Sequence, residues 1–408
     1  MNKTIKDISL EIGSGITPLR SNELYWNSPD IPWIKTEQLG QYRIFDSMEY
    51  ISDFALEDTK IRLWSPHTVS VAMYGEGKTR GNVSILMIET TTNQACCNIK
   101  VNDALADYRF LYYWLKNNYE NLRALSAGVR KNLNADDIKN FPFSENSLSE
   151  QEKIADILSV VDDKIELNSK ICSELEAMAK TLYDYWFAQF DFPDENGEPY
   201  RTAGGEMVWN EQLKREIPKE WKVGNLYSVA DFINGLACQK FRPKDGEQTL
   251  PVIKIKEMHD GITAETEQVS ENIPSKHKIF DGDILFSWSA TLEVIYWYGG
   301  SGGLNQHIFK VNPKSYFPKE YVYEQLSSYI VNFVKMAEAR KTTMGHITTD
   351  HLEQSKIPLP PEFLIKQFKE KVYPIHLKIG QTKQENRELT KLRDWLLPML
   401  MNGQARVE

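Results

Sequence analysis

Eight positions of this chain recur in register further along it. Leu158, Val161, Ile165, Asn168, Cys172, Leu175, Ala179 and Leu182 are answered by Val372, Ile375, Ile379, Thr382, Asn386, Leu389, Arg393 and Leu396, each pair 214 residues apart (372 minus 158, 396 minus 182). The steps alternate three and four, which is the heptad seam of a helix that buries one narrow stripe against another helix. Two copies of a long helix, each preceded by its own globular segment, predict two similar heads held at a fixed distance.

The segments before the helices repeat as well. In the first head, 1–145, the runs 31–39, 69–74 and 84–89 read as strands bounded by Pro, Gly and Asn, and 108–128 reads as a helix ending at Gly128. In the second, 221–357, the strands are expected at 250–258, 283–288, 293–300 and 307–312 and the helix at 319–340. Pro32-Trp33-Ile34-Lys35 faces Pro251-Val252-Ile253-Lys254, Asn93-Gln94 faces Asn305-Gln306, and Phe110-Leu111-Tyr112 faces Tyr321-Val322-Tyr323. Phe141-Pro142 and Ile357-Pro358 lead into the two helices. The offset drifts from about 219 to 211 across the heads and settles at 214 in the helices, so insertions gather in the heads.

The first helix is expected to open around Leu148, with Ser149 as N-cap and Glu152 at the capping-box position, and to run to about Phe187, roughly 58 Å at 1.5 Å per residue. The second runs from about Glu362 to Leu397, and Pro374 inside it predicts a kink or weak turn. Residues 191–221, rich in Gly, Pro and charge, read as an ordered loop or linker. The expected architecture is α+β. Its parts are a first head at 1–147, a long helix at 148–188, a linker at 189–220, a second head at 221–360 and a second long helix at 361–403.

The two helices are expected to pair with each other as an antiparallel coiled coil, because one pseudo-twofold rotation must exchange both heads and both helices. Burial in a large core and a parallel homodimeric coiled coil are the alternatives. Asn168, Thr382 and Asn386 suit register-setting seam positions. Ile154, Ile157, Ile171, Met178 and Trp186 widen the buried face of the first helix, where other subunits would dock.

A net charge of -9 argues at first against nucleic acid, but its distribution changes the inference. Lys and Arg against Asp and Glu give -2 over 1–145, -9 over 146–220, -1 over 221–357 and +3 over 358–408. Both heads are near neutral and each has room for a basic face, while an acidic helix suits a basic one. With 41% hydrophobic and 26% charged residues the balance is that of a globular protein. No window approaches 18 consecutive apolar residues and the first residues lack a signal-peptide core, so the cytoplasm is the default expectation. Cys96, Cys97, Cys172 and Cys238 have neither metal-ligand nor disulfide-framework spacing.

Catalytic signatures are missing from the sequence. There is no GxxxxGK[ST] loop; Gly75-Glu76-Gly77-Lys78-Thr79 lacks the spacing and reads as a turn between strands. No Gly-rich methyl-donor loop follows a strand, and neither an Asn-Pro-Pro-aromatic nor an Asp-Pro-Pro-aromatic tetrapeptide occurs. His259, His277, His307, His346 and His351 form no metal spacing, and Asp281-Gly282-Asp283 reads as a turn before a strand.

The order head, long helix, Tyr183-Asp184-Tyr185-Trp186-Phe187-Ala188-Gln189-Phe190-Asp191-Phe192-Pro193, Gly204-Gly205-Glu206-Met207-Val208, Ile217-Pro218-Lys219-Glu220-Trp221, second head and second helix resembles the specificity subunit of a type I restriction-modification enzyme. The closing Leu392-Arg393-Asp394-Trp395-Leu396-Leu397-Pro398-Met399-Leu400-Met401-Asn402-Gly403-Gln404 strengthens the resemblance, which spans the whole chain. It implies that each head is a target recognition domain reading one half of a split double-stranded DNA sequence, and that the helices set the unread gap. It also implies two methyltransferase subunits bound against the helices, together with restriction/translocase subunits. S-adenosylmethionine, ATP and Mg then belong to those partners, and this chain is non-catalytic. Readers of two half-sites must be spaced along a helical repeat of about 34 Å.

Base reading calls for Arg, Lys, Asn and Gln on loops, with Lys, Arg, Ser and Thr on phosphates. The candidates in the first head are Lys78, Thr79, Arg80 and Asn82, then Arg130, Lys131 and Asn132; in the second they are Lys240 and Arg242, then Trp288, Ser289 and Thr291, then Arg340, Lys341 and Thr342. Arg130-Lys131 and Arg340-Lys341 occupy equivalent places after each head's helix, where a role in helix C-terminus electrostatics is the alternative. Two other function classes compete: a DNA-modifying enzyme with an unrecognised site, and a coiled-coil adaptor whose heads bind proteins.

Overall fold

The computed structural model describes residues 3–75, 77–126, 132–289, 291–339, 347 and 349–405. The chain divides into two compact units, one of Met1–Ile165 with Leu389–Glu408 and one of Glu166–Glu388. Both long helices therefore contribute a segment to each unit.

The first head runs β1 (Ser9–Ser14), β2 (Ile31–Ile34), β3 (Arg43–Ile44), β4 (Tyr50–Ile51), α1 (Asp53–Thr59), β5 (Thr68–Ala72), β6 (Val83–Leu86), β7 (Thr91–Thr92) and β8 (Cys96–Val101), then α2 (Tyr108–Asn117), α3 (Tyr119–Ala124) and α4 (Ala135–Lys139). One sheet has the order β1-β8-β5-β6-β3 and a smaller one β4-β2-β7. Every residue of β5 is buried. Its Val69 and Val71 join the core that α2 covers with Phe110, Leu111 and Leu115, while Ala72 joins a separate cluster with Ile34, Ile44, Leu86 and Cys96. That two-sided burial is why the strand reads as a near-continuous apolar run. Two strands lie outside those expected from sequence: β1, a half-exposed edge strand with little apolar alternation, and β8, whose Cys and Asn are not strong strand signals.

The first long helix, α5 (Leu148–Tyr183), passes into a π turn over Asp184–Ala188. Its cap lies two residues earlier than expected. The Ser147 backbone N–H donates to Glu150 Oε2 at 2.8 Å and Glu150 N–H donates back to Ser147 Oγ at 3.4 Å, a capping box that leaves Ser149 and Glu152 inside the helix. The linker is ordered around the hairpin of β9 (Met207–Asn210) and β10 (Arg215–Pro218), and its Phe190, Phe192, Ile217 and Trp221 enter the core of the second unit.

The second head repeats the plan with β11 (Lys222–Gly224), α6 (Leu226–Val229), β12 (Ala230–Asn234), β13 (Thr249–Ile253), α7 (Ile255–Asp260), β14 (Gln268–Ser270), β15 (Lys278–Ile279), β16 (Ile284–Ser287), β17 (Glu293–Tyr296), β18 (Gly302–Leu304), β19 (Ile308–Pro313), α8 (Lys319–Ala339), α9 (Thr349–Gln354) and β20 (Ile357–Leu359). Its sheets have the orders β12-β19-β16-β17 and β14-β13-β18-β15. The stretch expected as one strand over 250–258 ends at Ile253. A capping box at Lys254, closed by Glu257, turns the rest into α7. The final helix, α10 (Glu362–Met401), continues through Pro374 and Pro398 without a break. Pro374 and Glu370 are both exposed, so the carbonyl that Pro374 cannot satisfy faces water.

Within each unit the two helices run antiparallel. Asp162 meets Arg393 at 2.8 Å in the first unit. In the second, Asn168 donates to Asn386 at 2.9 Å, Cys172 Sγ lies 3.9 Å from the Ile379 carbonyl, and Tyr183 packs on Phe368 at 6.3 Å between ring centres. All sixteen seam positions are buried or half-buried. Beside the seam Ile154 and Trp186 are buried and Ile171 is half-buried, but Ile157 and Met178 are exposed at 36% and 59%, contrary to the expectation of a wider buried face.

Each helix meets its preceding head through a polar cluster, and the two clusters differ. In the first unit Asp162, 2% exposed, accepts from Arg393 at 2.8 Å and from the Tyr113 hydroxyl at 2.7 Å. Removing either partner of such a pair costs about 3–5 kcal/mol. The positions 214 residues on from Asp162 and 211 on from Tyr113 are His376 and Glu324, 3.8 Å apart and both buried. Burial pushes the Glu324 carboxyl up to about 8, and burial with Lys383 nearby holds His376 down to about 4. Glu324 contributes its full stability below its ordinary value of 4.5 and loses it as the pH rises through about 8. His376 acts oppositely, gaining stability from about 4 to 6.5, so only above 6.5 does Glu324 act alone. The melting temperature of the chain is expected to fall between pH 6.5 and 8, with about 2 kcal/mol at stake. Glu324→Gln should flatten this window in a thermal melt series; an unchanged slope would show that the carboxyl is not protonated in the folded state.

Candidate nucleic-acid interface

The C-terminal ends of β1, β2, β5 and β7 and the N-terminal ends of β6 and β8 gather at one end of the first head, as their pairings require. Met73, just beyond β5, is the meeting point. Its N–H donates to the Ala95 carbonyl at 2.8 Å, and its carbonyl accepts from Leu133 N–H at 3.0 Å. One residue therefore joins the β5–β6 turn, the Asn93-Gln94 turn and the segment that leads into α4.

The second head builds the same junction around Trp288. Its N–H donates to the His307 carbonyl at 3.3 Å, and its carbonyl accepts from Ile347 N–H at 3.0 Å. Beside it, Asn93 N–H donates to the Ile34 carbonyl at 2.9 Å and Asn305 N–H to the Ile253 carbonyl at 3.2 Å, closing the parallel pairs β2–β7 and β13–β18. The facing of Pro32 with Pro251 and of Asn93 with Asn305 is thus a facing of three-dimensional roles.

A glycine in each head lets the next loop cross these turns. A Cβ on Gly15 would sit 1.8 Å from the Thr92 carbonyl oxygen and one on Gly235 2.0 Å from that of Asn305, so no side chain fits at either position. The loop after Gly235 carries Lys240 and Arg242, both exposed. The loop after Gly15 carries Arg20, which stands in the place of Lys240 (20 minus 15, 240 minus 235) and is absent from the candidates read from sequence. Its guanidinium lies 3.8 Å from the Trp26 ring centre and 2.6 Å from Glu49. The shared Gly spacing was the signal available for finding it.

The candidate residues divide by what they already do. Lys78 and Asn132 are exposed and Thr79 and Arg80 half-buried. The turn carrying Lys78, Thr79 and Arg80 is held by Arg123, whose Nη1 donates to the carbonyls of Gly77 at 3.0 Å and Arg80 at 3.2 Å and to the Tyr119 hydroxyl at 2.6 Å. Asn82 spends its amide on the Leu39 carbonyl at 3.2 Å and belongs to the turn's framework. In the second head Thr291 is exposed, but Ser289 is buried at 6% exposure. Trp288 is half-buried and donates through Nε1 to Asn234 at 3.2 Å. Ser289 is thus packed inside its head, and the Trp288 indole N–H is engaged by Asn234. Arg130, Lys131, Arg340, Lys341 and Thr342 lie outside the described residues. Leu133 and Ile347, which follow them, are bonded at the two junctions.

No group of three or more His, Cys, Asp or Glu side chains among the described residues is placed to hold a metal ion, and no described helix is long and apolar enough to cross a membrane. The four cysteines are buried thiols, and burial pushes Cys96 and Cys97 up to about 12. What the geometry presents is basic and amide-bearing loops around a duplicated junction, the arrangement of a two-headed recognition module.

The chain matches the Type I restriction modification DNA specificity domain over residues 1–177 and 218–367. It belongs to this family, the specificity subunits of type I restriction-modification systems. It is 27% identical to the type I restriction enzyme MjaIX specificity subunit of Methanocaldococcus jannaschii over an alignment covering 100% of this chain and 93% of that one. It is 26% identical to the HindI specificity subunit of Haemophilus influenzae, with 68% and 72% covered. The solved S subunit of a type I restriction-modification system from M. genitalium shares the fold, with a TM-score of 0.55 at 18% identity and 98% and 95% of the chains covered. The match of one domain model over two stretches of this chain agrees with the duplication in its sequence.

Arg123→Ala removes three hydrogen bonds to a charged donor, each worth about 1.5–3 kcal/mol. Amide exchange over 77–82 is expected to accelerate at least tenfold while β8 is unaffected, as read by hydrogen–deuterium exchange of the free chain. Unchanged exchange in the turn would mean that Arg123 does not hold it.

Proposed function

We propose that each head reads one half of a bipartite double-stranded DNA target, and that the antiparallel helix pair fixes the number of unread bases between the halves. The observation that carries this reading is the duplicated junction at Met73 and Trp288, which frames equivalent loops with different side chains. A shared framework with divergent loops suits two readers of different base sequences, since sequence is read by side chains on base edges and register is set by phosphate contacts. Lys78, Lys240 and Arg242 are exposed candidates for this, with half-buried Arg80 beside Lys78 and Arg20 the counterpart of Lys240.

The chain is a recognition subunit, and we assign the chemistry to others. Two methyltransferase subunits and restriction/translocase subunits would assemble on it, with Ile157 and Met178 among the exposed apolar residues offered to them. S-adenosylmethionine, ATP and Mg would be bound by those partners.

In a reconstituted methyltransferase complex, Lys78→Ala with Arg80→Ala is expected to relax or weaken recognition of one half-site. Lys240→Ala with Arg242→Ala should do so at the other. Methylation of a DNA library randomised in each half reads both, and equal loss in the two halves would defeat the two-reader model. A lost phosphate contact should also lower the salt slope of binding by about 1. Inserting one heptad into both helices should lengthen the gap and leave the bases in each half unchanged; altered bases would sink the spacer role.

A further inference from the structure

A cavity of 490 Å³ lies in the second unit among the π turn after α5, the linker hairpin, α8 and β20. Buried Tyr183 and Phe187 form part of its wall, and Gln212, Asn332 and Lys356 stand around it on exposed positions. No Asp or Glu is among its lining residues.

Arg215, at the start of β10, lines this cavity half-buried. Its Nη2 donates to the Ala188 carbonyl at 2.7 Å, and the guanidinium lies 4.4 Å from the ring centre of Phe190. Among the described residues it has no carboxylate partner. A guanidinium carries five N–H donors in a rigid fork, so one protein acceptor leaves most of that capacity unused. Burial, with Arg201 nearby, lowers its affinity for the proton, as expected of a cation lacking a counter-charge. Gln325, 6% exposed, also lines the cavity. The Tyr321 hydroxyl donates to its Oε1 at 3.2 Å, which leaves the Gln325 amide nitrogen with no protein acceptor among the described residues.

An amide donor on an otherwise buried side chain and a half-buried cation line one cavity, both short of protein acceptors among the described residues, and together they suit an acceptor that also bears negative charge. We propose that this cavity is an oxyanion site, in which a carboxylate or phosphate group is held by the Arg215 guanidinium and the Gln325 amide, with Lys356 at the rim. The cavity has room for more than a single oxyanion, so the group can be carried on a larger molecule. This inference concerns a ligand site in the linker region and is independent of how the heads read DNA.

The test is calorimetric titration of the full chain with inorganic phosphate and with acetate, against sodium chloride at matched ionic strength. Wild-type protein is expected to saturate with one of the two oxyanions at a Kd on the order of 1 mM. Tighter phosphate binding identifies a phosphate-bearing ligand, and tighter acetate binding a carboxylate-bearing one. Arg215→Gln should weaken binding at least tenfold, and Arg215→Lys, which keeps the charge and loses the fork, by an intermediate factor. Gln325→Leu provides an independent severalfold loss should the arginine variants fail to fold. The proposal is overturned if neither oxyanion saturates the wild-type chain above the chloride control, or if folded Arg215→Gln or folded Gln325→Leu binds as wild type does.

Discussion

The antiparallel seam between the two long helices is the constraint on which each unit depends. In the first unit Leu158 of α5 and Leu397 of α10 enter the same core as the helix and sheet of the head. In the second, Tyr183 and Phe187 of the first helix and Phe368 and Val372 of the second do the same. A head's own core therefore continues into the helix pair. That continuity ties a recognition surface to a scaffold without a flexible joint made of polar linker, and the buried aromatic residues of 183–192 extend it into the linker.

Polar groups decide how the seam is keyed. Asn168 and Asn386 bond each other, and Asp162 draws both Arg393 and Tyr113. A shift of register would strand these groups without partners, a far larger loss than that of an aliphatic contact. The second unit substitutes Ala179 and His376 for Arg393 and Asp162, and Glu324 for Tyr113, so equivalent places in the repeat carry an ion pair in one case and a largely neutral polar pair in the other. Duplication preserved the geometry and left the electrostatics free to diverge.

Much of the fold was legible because helix periodicity and internal repetition are properties of the sequence itself. The seam, the two heads, the facing of Asn93 with Asn305 and the strands β5, β6, β16, β17 and β19 needed only apolar pattern and turn residues. The errors have physical causes. The Ser147 cap was overlooked because Ser149 is equally suited in sequence, and only the bond between Glu150 and Ser147 distinguishes them. Strand β1 lacks an apolar signature because its value to the sheet is its backbone pairing with β8. Ile157 and Met178 look like core by composition but lie on the outer side of the helix pair's seam.

The sequence by itself determined that the chain is duplicated, that its long helices bury a heptad stripe, and that it lacks familiar motifs for nucleotide hydrolysis or methyl transfer. Only the tertiary structure decided which polar side chains are bonded inside their heads. Asn82 and the Trp288 indole are bonded within their heads, Ser289 is buried, Arg20 lies at the same spacing from Gly15 as Lys240 from Gly235, and Arg215 lines a cavity with no carboxylate partner among the described residues. The reason is physical: periodicity is a local property, whereas a hydrogen bond such as Asn82 to Leu39 or Trp288 to Asn234 joins residues 43 or 54 positions apart. Whether a polar side chain is spent or available is settled only when the chain has brought those partners together.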